Sequence, residues 1–295
     1  MAFYGVADIG GTMIKLGVAD EKGTILARGE VKNPVREAGV GAMIESVASA
    51  VHDFRKSYAL EGLAVSTAGV VDEEGVVVHS GPAFPGYEGT TLAARLGKLT
   101  GLPCAAMNDA NCAALGEAWI GAGRRLSPLA CVTLGTGVGG AVLMDGQPCV
   151  GASGFAGEIG YLPFEDDILE NAASVSALVR FVADAKKMSV EAIDGARVLE
   201  MARAGDDAAR EGVMRQMHAL AAGLAALICV VDPAIIVIGG GVAAGADVLA
   251  PALSEEMARL PLADPMKKTR IRFSTLGNDA GMVGALSYFL QKFIR

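Results

Sequence analysis

The chain has 295 residues, 52 % of them apolar and 20 % charged, which is material for two globular domains with substantial cores. Its formal net charge is −8, its pI is about 5.0, and no Lys/Arg run exceeds two residues. That balance argues against nucleic acid or an anionic membrane surface as a main partner, so an anionic ligand must be held by local geometry. The five cysteines (Cys104, Cys112, Cys131, Cys149, Cys229) form no C-x-x-C pair, and the three histidines lie far apart. Free thiols in a reducing cytoplasm and no metal site fit this usage. Asp8 interrupts the first apolar stretch, which argues against a signal peptide. The longest apolar run, Ala219 to Val231, is too short to span a bilayer and predicts a buried helix.

In chain order, Tyr4–Ile9 and Ile14–Ala19 predict two strands joined by the glycine turn Gly10-Gly11-Thr12. Thr24 to Glu30 would add a third strand of a meander. Met43, Ile44, Val47, Val51 and Phe54 recur at helical spacing and predict a helix over about 41–57. Gly62–Thr67 reads as a buried strand ending at Ala68-Gly69, and Val76–Val78 as another. A helix over Thr91–Leu99 is stopped by Gly101 and Pro103. The strand Cys104–Met107 then delivers Asn108-Asp109 to a helix over Ala110–Trp119.

The pattern restarts at Leu129. Leu129–Leu134 is a strand, Gly135–Gly140 a turn, and Ala141–Met144 a strand, a second copy of the opening hairpin. Such duplication predicts two α/β halves with a cleft between them. Helices are expected over 172–186 and 207–231. The buried strand Ile235–Ile238 runs into Gly239-Gly240-Gly241. A strand over Arg270–Ser274 and a helix over Met282–Ile294 close the chain.

Three glycine turns therefore follow apolar strands, at the strand end where open α/β sheets bind ligands. Backbone N–H groups in such turns suit phosphate oxygens. A single glycine turn is ordinarily just a tight hairpin; three, two of them on duplicated hairpins, point to phosphate binding. The Walker pattern is absent, and the first two turns lead into strands rather than the helix of a Rossmann fingerprint. Asp8, just before the first turn, is either a turn cap or a carboxylate that holds Mg²⁺ through water. Asp109, at a strand-to-helix junction, is either a helix N-cap or a general base, and Asn111 is an alternative cap. Glu158, between Gly157 and Gly160, is either a solvated loop residue or an acceptor for a hydroxyl.

Taken together, these residues resemble the ROK family of sugar kinases. Asp8-Ile9-Gly10-Gly11-Thr12 with Lys15 resembles its first phosphate motif, and Leu134 to Gly140 its second. Ile238 to Val242 resembles its adenosine motif, Asn108-Asp109-Ala110-Asn111 the segment with its catalytic aspartate, and Gly157–Gly160 its sugar segment. Leu276-Gly277, Ala280-Gly281 and Gly284-Ala285 resemble its C-terminal signature. The resemblance implies the actin-like ATPase (ribonuclease H-like) fold in two duplicated α/β domains, residues 1–114 plus 282–295 and residues 115–281. It implies that Asp8, Gly10, Gly11, Thr12, Lys15, Gly135, Thr136, Gly137, Gly240 and Gly241 bind ATP with Mg²⁺. It makes Asp109 the base and gives Gly69, Asn108, Glu158, Tyr161 and Glu170 to the sugar, with domain closure excluding water. A cytoplasmic homodimer is the family's habit.

Two departures bear on substrate. Many family members carry His where Tyr161 stands, followed by a cysteine-rich zinc loop; here Glu165-Asp166-Asp167 follows, so structural zinc is expected to be absent. This form resembles the branch with bacterial β-glucoside kinases. Ala83-Phe84-Pro85-Gly86-Tyr87 stands where glucokinases often carry Asn-Leu-Pro-Gly-Trp, which removes one possible sugar hydrogen bond. A glucose-type hexose or a β-glucoside is the expected acceptor, with N-acetylmannosamine or fructose as alternatives. A sugar-sensing regulator is disfavoured because the first strand begins by residue 4, without room for a DNA-binding helix pair. An ATP-driven switch or filament protein of the same fold is disfavoured by the sugar segment at Glu158.

Overall fold

The structure is a computed structural model and describes residues 2–294. The chain divides into two compact units: residues 1–124, 150–156 and 279–295, and residues 125–149 and 157–278. The first unit thus runs past the helix that begins at Asp109 and takes in the short segment 150–156.

In the first unit, β1 (Phe3–Ile9), β2 (Met13–Asp20) and β3 (Ile25–Lys32) form the expected meander. Helix α1 (Val35–Arg55), β4 (Leu60–Thr67), α2 (Leu92–Thr100), β5 (Cys104–Asn108) and α3 (Asp109–Trp119) follow. The sheet order is β3-β2-β1-β4-β5, with β1, β4 and β5 parallel. Edge strand β3 alternates half-buried and exposed residues, the period of a strand with one wet face. Central β1 and β4 are buried almost throughout, as parallel strands covered on both faces must be. Gly39, at φ 81°, breaks α1 after its first turn, so the regular helix begins near the expected position and buries Met43, Ile44, Val47 and Val51.

In the second unit, β6 (Leu129–Leu134) and β7 (Val138–Met144) form the second hairpin. Then come α4 (Glu170–Ala173), α5 (Val175–Lys186), α6 (Gly195–Arg203), α7 (Asp207–Val231), β8 (Ile235–Gly239), α8 (Ala246–Arg259) and β9 (Arg270–Phe273). The short strand Gln147–Pro148 completes a five-stranded sheet running Gln147–Pro148, β7, β6, β8, β9. Its order and polarity repeat those of the first sheet: antiparallel strands on one side, then two parallel additions.

The structure corrects several expectations. Strand β7 starts at Val138, so Gly139 and Gly140 are strand rather than turn. The single helix expected over 172–186 is two, because Ser174 adopts an extended conformation and caps α5 through its hydroxyl, which accepts from Ala177 N at 3.1 Å. The structure adds helices α6 and α8 to those expected. The first is short, and the second carries Pro251, which reads as a breaker. The apolar run Ala219–Val231 is the end of a longer helix, α7, which is long and apolar enough to cross a bilayer by length and composition. Half of its apolar stretch is packed inside the unit, where Met217, Leu220, Leu224 and Ile228 join the core.

The chain ends in α9 (Ala280–Phe293), which returns to the first unit. It crosses α3 with backbone against backbone. A methyl on Gly284 would run into Cys112 O, and one on Gly116 would stand 2.6 Å from Ala280 O. Of the glycines in the C-terminal signature, Gly284 thus follows from close helix packing.

Candidate active site

In the first unit, Ile9, Thr67 and Asn108 stand in register at the carboxyl ends of three parallel strands. The sequence-predicted residues of this unit gather at that edge. Asp8 is half-buried. Its Oδ1 accepts from Ser66 Oγ at 2.7 Å, and its Oδ2 lies 3.9 Å from Lys15 Nζ. Burial pushes the Asp8 carboxyl above its ordinary value, and the Ser66 hydrogen bond and the Lys15 charge oppose that only in part. A methyl on Gly281 of α9 would stand 3.0 Å from both Asp8 Oδ1 and Ser66 Oγ.

The first glycine turn is braced from outside. Gly10 N donates to Met13 O at 3.1 Å. The buried Asn33 donates from Nδ2 to Gly10 O at 2.8 Å and from its backbone N to Thr12 O at 2.8 Å. Thr12 stands exposed at the tip. Ala83 and Phe84 flank this turn, since a methyl on Gly11 would lie 3.5 Å from Ala83 Cβ. Phe84 stacks on the buried Tyr87 at 5.2 Å, and the Tyr87 hydroxyl bonds Thr67 Oγ1 at 2.8 Å.

Asp109 is the first residue of α3, and the cap preceding it is Asn108, whose Oδ1 accepts from Asn111 N at 3.0 Å. Capping therefore falls to neither Asp109 nor Asn111. Asn108 Nδ2 donates to Gly69 O at 3.0 Å and to Asp109 Oδ1 at 3.1 Å, and Ala110 N donates to the same oxygen at 2.9 Å. Gly69, at φ 94°, passes so close to His79 O that a methyl would stand 2.6 Å away; only glycine fits. The result is an exposed carboxylate of fixed orientation at a helix N-terminus, where negative charge is favoured. Below it, the buried Cys112 thiol is pushed well above its ordinary value by burial, then by the charges of Asp8 and Asp109. Both carboxylates thus lie within electrostatic reach of one side chain.

In the second unit, the turn Gly135–Gly137 links β6 to β7, with Thr136 exposed at its tip. Gly135 N donates to Gly137 O at 2.9 Å. Glu170 Oε2 accepts from Val138 N at 2.9 Å, so this carboxylate grips the end of the turn. The third turn lies beside the second: Gly240, at φ 85°, packs so that a methyl would run into Leu134 O. Gly157 and Gly160 lie flat on β7, a methyl on Gly140 meeting Gly157 O and one on Gly160 meeting Val138 O. This close approach explains the glycines around Glu158. It leaves Glu158 half-buried and Tyr161 61 % exposed. A cavity of about 650 Å³ also opens in this unit, lined by Phe164, Phe181, Arg215, Gln216, His218 and Glu256 among others; no sequence-predicted site residue lines it.

Three features of the site have no sequence signal: Asn33, Ser66 and the Thr67–Tyr87 pair. Each acts by bracing another residue across a fold distance that carries no local pattern. Among the described residues, no group of three or more His, Cys, Asp or Glu side chains could hold a metal ion.

Two duplicated sheets of this topology, each opening on a glycine-turn hairpin, define the actin-like ATPase fold of the ROK sugar kinases. Residues 4–292 match the ROK family, and the chain belongs to it. It is 38 % identical to an uncharacterized protein of Clostridium perfringens, over 99 % of each chain. It is 31 % identical to a β-glucoside kinase of Listeria monocytogenes, over 97 % of this chain and 96 % of that one. Among solved structures, a ROK family glucokinase from Streptomyces griseus in complex with glucose and AMPPNP superimposes with a TM-score of 0.87 at 29 % identity, covering 97 % of this chain and 99 % of that one.

Proposed function

We propose that the chain is an ATP-dependent kinase that transfers the γ-phosphoryl group to a hydroxyl of a glucose-type hexose or β-glucoside. The observation that carries this reading is Asp109: an exposed carboxylate at a sheet's ligand-binding edge, relieved of capping by Asn108 and oriented by two donors. In the reaction, Asp109 takes the proton from the acceptor hydroxyl as that oxygen attacks the γ-phosphorus and ADP leaves. No covalent intermediate on the protein is needed.

Gly10, Gly11, Thr12 and Lys15, the turn Gly135-Thr136-Gly137, and Gly240-Gly241 receive the nucleotide through two hydroxyls, one ammonium and the backbone N–H groups of the turns other than those of Gly10 and Gly135, which hold the turns themselves. Asp8 suits Mg²⁺ held through water: Ser66 and Lys15 already engage its oxygens, so it is poor as a direct ligand and good as an acceptor for a coordinated water. Bound there with ATP, the ion supplies neutralisation of phosphate charge. No zinc is required. Gly69, Asn108, Glu158, Tyr161 and Glu170 are the sugar-side residues.

The relatives named for glucose and for β-glucosides support the substrate class. Tyr161 is exposed and Ala83 offers no side-chain hydrogen bond, which favours a β-glucoside over free glucose. Release of ADP measured with glucose, cellobiose, N-acetylmannosamine and fructose tests this. Strong turnover with one sugar supports the reading, and ADP release that is the same with every sugar and with none sinks it.

A further inference from the structure

The turn Gly135–Gly137 contains two glycines in three residues, so its own side chains hold it poorly and outside partners must fix it. Two such partners come from one place, the junction of α4 and α5. Val175 N donates to Gly135 O at 2.9 Å, and Glu170 Oε2 accepts from Val138 N at 2.9 Å. The junction is itself fixed by Ser174, which caps α5 and donates its backbone N–H to Glu170 O at 3.1 Å. Contact between Glu170 and the turn is tight, since a methyl on Gly137 would run into Oε2. A carboxylate set against an anion-binding turn is electrostatically unfavourable unless it serves the turn's geometry.

We propose that Glu170 is a positioning residue for the nucleotide: by accepting from Val138 N it sets the backbone of the second glycine turn in the conformation that receives a phosphate. This rests on the kinase reading above and adds a second role to the sugar contact proposed there for Glu170. It also places the nucleotide turn and the sugar-side helix α4 on one rigid piece of chain, so that Glu170 acts on ATP even when no sugar is bound.

The test is titration of the full chain with AMPPNP in the absence of sugar, with the sugar KM measured in parallel. Glu170→Ala should weaken AMPPNP binding about tenfold, a loss of about 1.4 kcal/mol and the scale of one hydrogen bond to a charged group. Glu170→Asp keeps the charge but withdraws it by one methylene, so it should lose affinity in the same direction. Glu170→Gln keeps an acceptor oxygen at the same reach and should bind AMPPNP within about twofold of the parent. Should Glu170→Ala fail to fold, the Asp and Gln pair decides. Unchanged AMPPNP affinity in Glu170→Asp, with only the sugar KM raised, overturns the role. A parent chain that binds no AMPPNP overturns the kinase reading itself.

Discussion

The two sheets share one order and one polarity, yet their opening hairpins are held by different chemistry. In the first unit a neutral amide, Asn33, braces the glycine turn, and the carboxylate Asp8 sits on the strand before it. In the second unit no acidic residue lies on the strand before the turn, Thr133 standing where Asp8 does in the first, and the bracing group is itself a carboxylate, Glu170, brought in from a helix. The last parallel strands differ as well. Strand β5 ends at Asn108 and delivers Asp109, whereas β9 ends at Phe273 and is followed by Ser274, whose hydroxyl accepts from Gly277 N at 2.9 Å. Duplicated architecture thus leaves a carboxylate at this strand end on one copy and a hydroxyl on the other.

The largest expected effect breaks that asymmetry directly. Asp109→Asn keeps the shape and the bonds from Asn108 and Ala110 but removes the proton acceptor. The turnover number should fall about 10²–10⁴-fold while AMPPNP binding stays within about twofold. Sugar phosphorylation at the parent rate would remove Asp109 from the role of base.

Helix packing offers the next contrast. A methyl on Gly284 in the first unit meets a backbone carbonyl, that of Cys112, whereas one on Gly223 in the second meets the end of a flexible side chain, Leu169 Cδ2. Backbone cannot give way as a side-chain tip can. Gly284→Ala should cost about 3 kcal/mol or more and Gly223→Ala about 1 kcal/mol, read from denaturant midpoints. Equal costs would show that the α3–α9 crossing is looser than its geometry indicates.

Much of this is legible in the sequence, for reasons that differ by element. The paired hairpins can be read because apolar strands flanking glycine turns are local signals, and the strand ends at Ile9 and Leu134 follow from them. Asp109 is visible, but its choice between cap and base is not, because capping is decided by which side chain reaches Asn111 N. The break at Ser174 and the grip of Glu170 on Val138 are illegible; the second joins residues 32 positions apart. Helix α8 is hidden by Pro251, whose usual breaking signal is overridden by packing of Leu249 and Leu253 into the core.

The smallest expected effect concerns Asp8, the carboxylate that the second turn lacks. Burial raises its pKa in the folded chain above the ordinary carboxylate value. The folded state therefore binds a proton there more readily than the unfolded chain does. Its favourable contribution is fully present below the ordinary value and is lost as pH rises through the raised one. At neutral pH, without nucleotide or Mg²⁺, ionised Asp8 is a net cost to the first unit. Asp8→Asn removes that cost and keeps an acceptor for Ser66 Oγ, so the melting temperature should rise by a few degrees at neutral pH. The gain should shrink as the pH falls toward the ordinary aspartate value of about 4. Mg²⁺ with AMPPNP should reverse the order, stabilising the parent more than the variant. A variant that melts lower than the parent at neutral pH without ligand would mean that Lys15 and Ser66 already compensate the buried charge, and that the first turn carries no strain in wait of a cation.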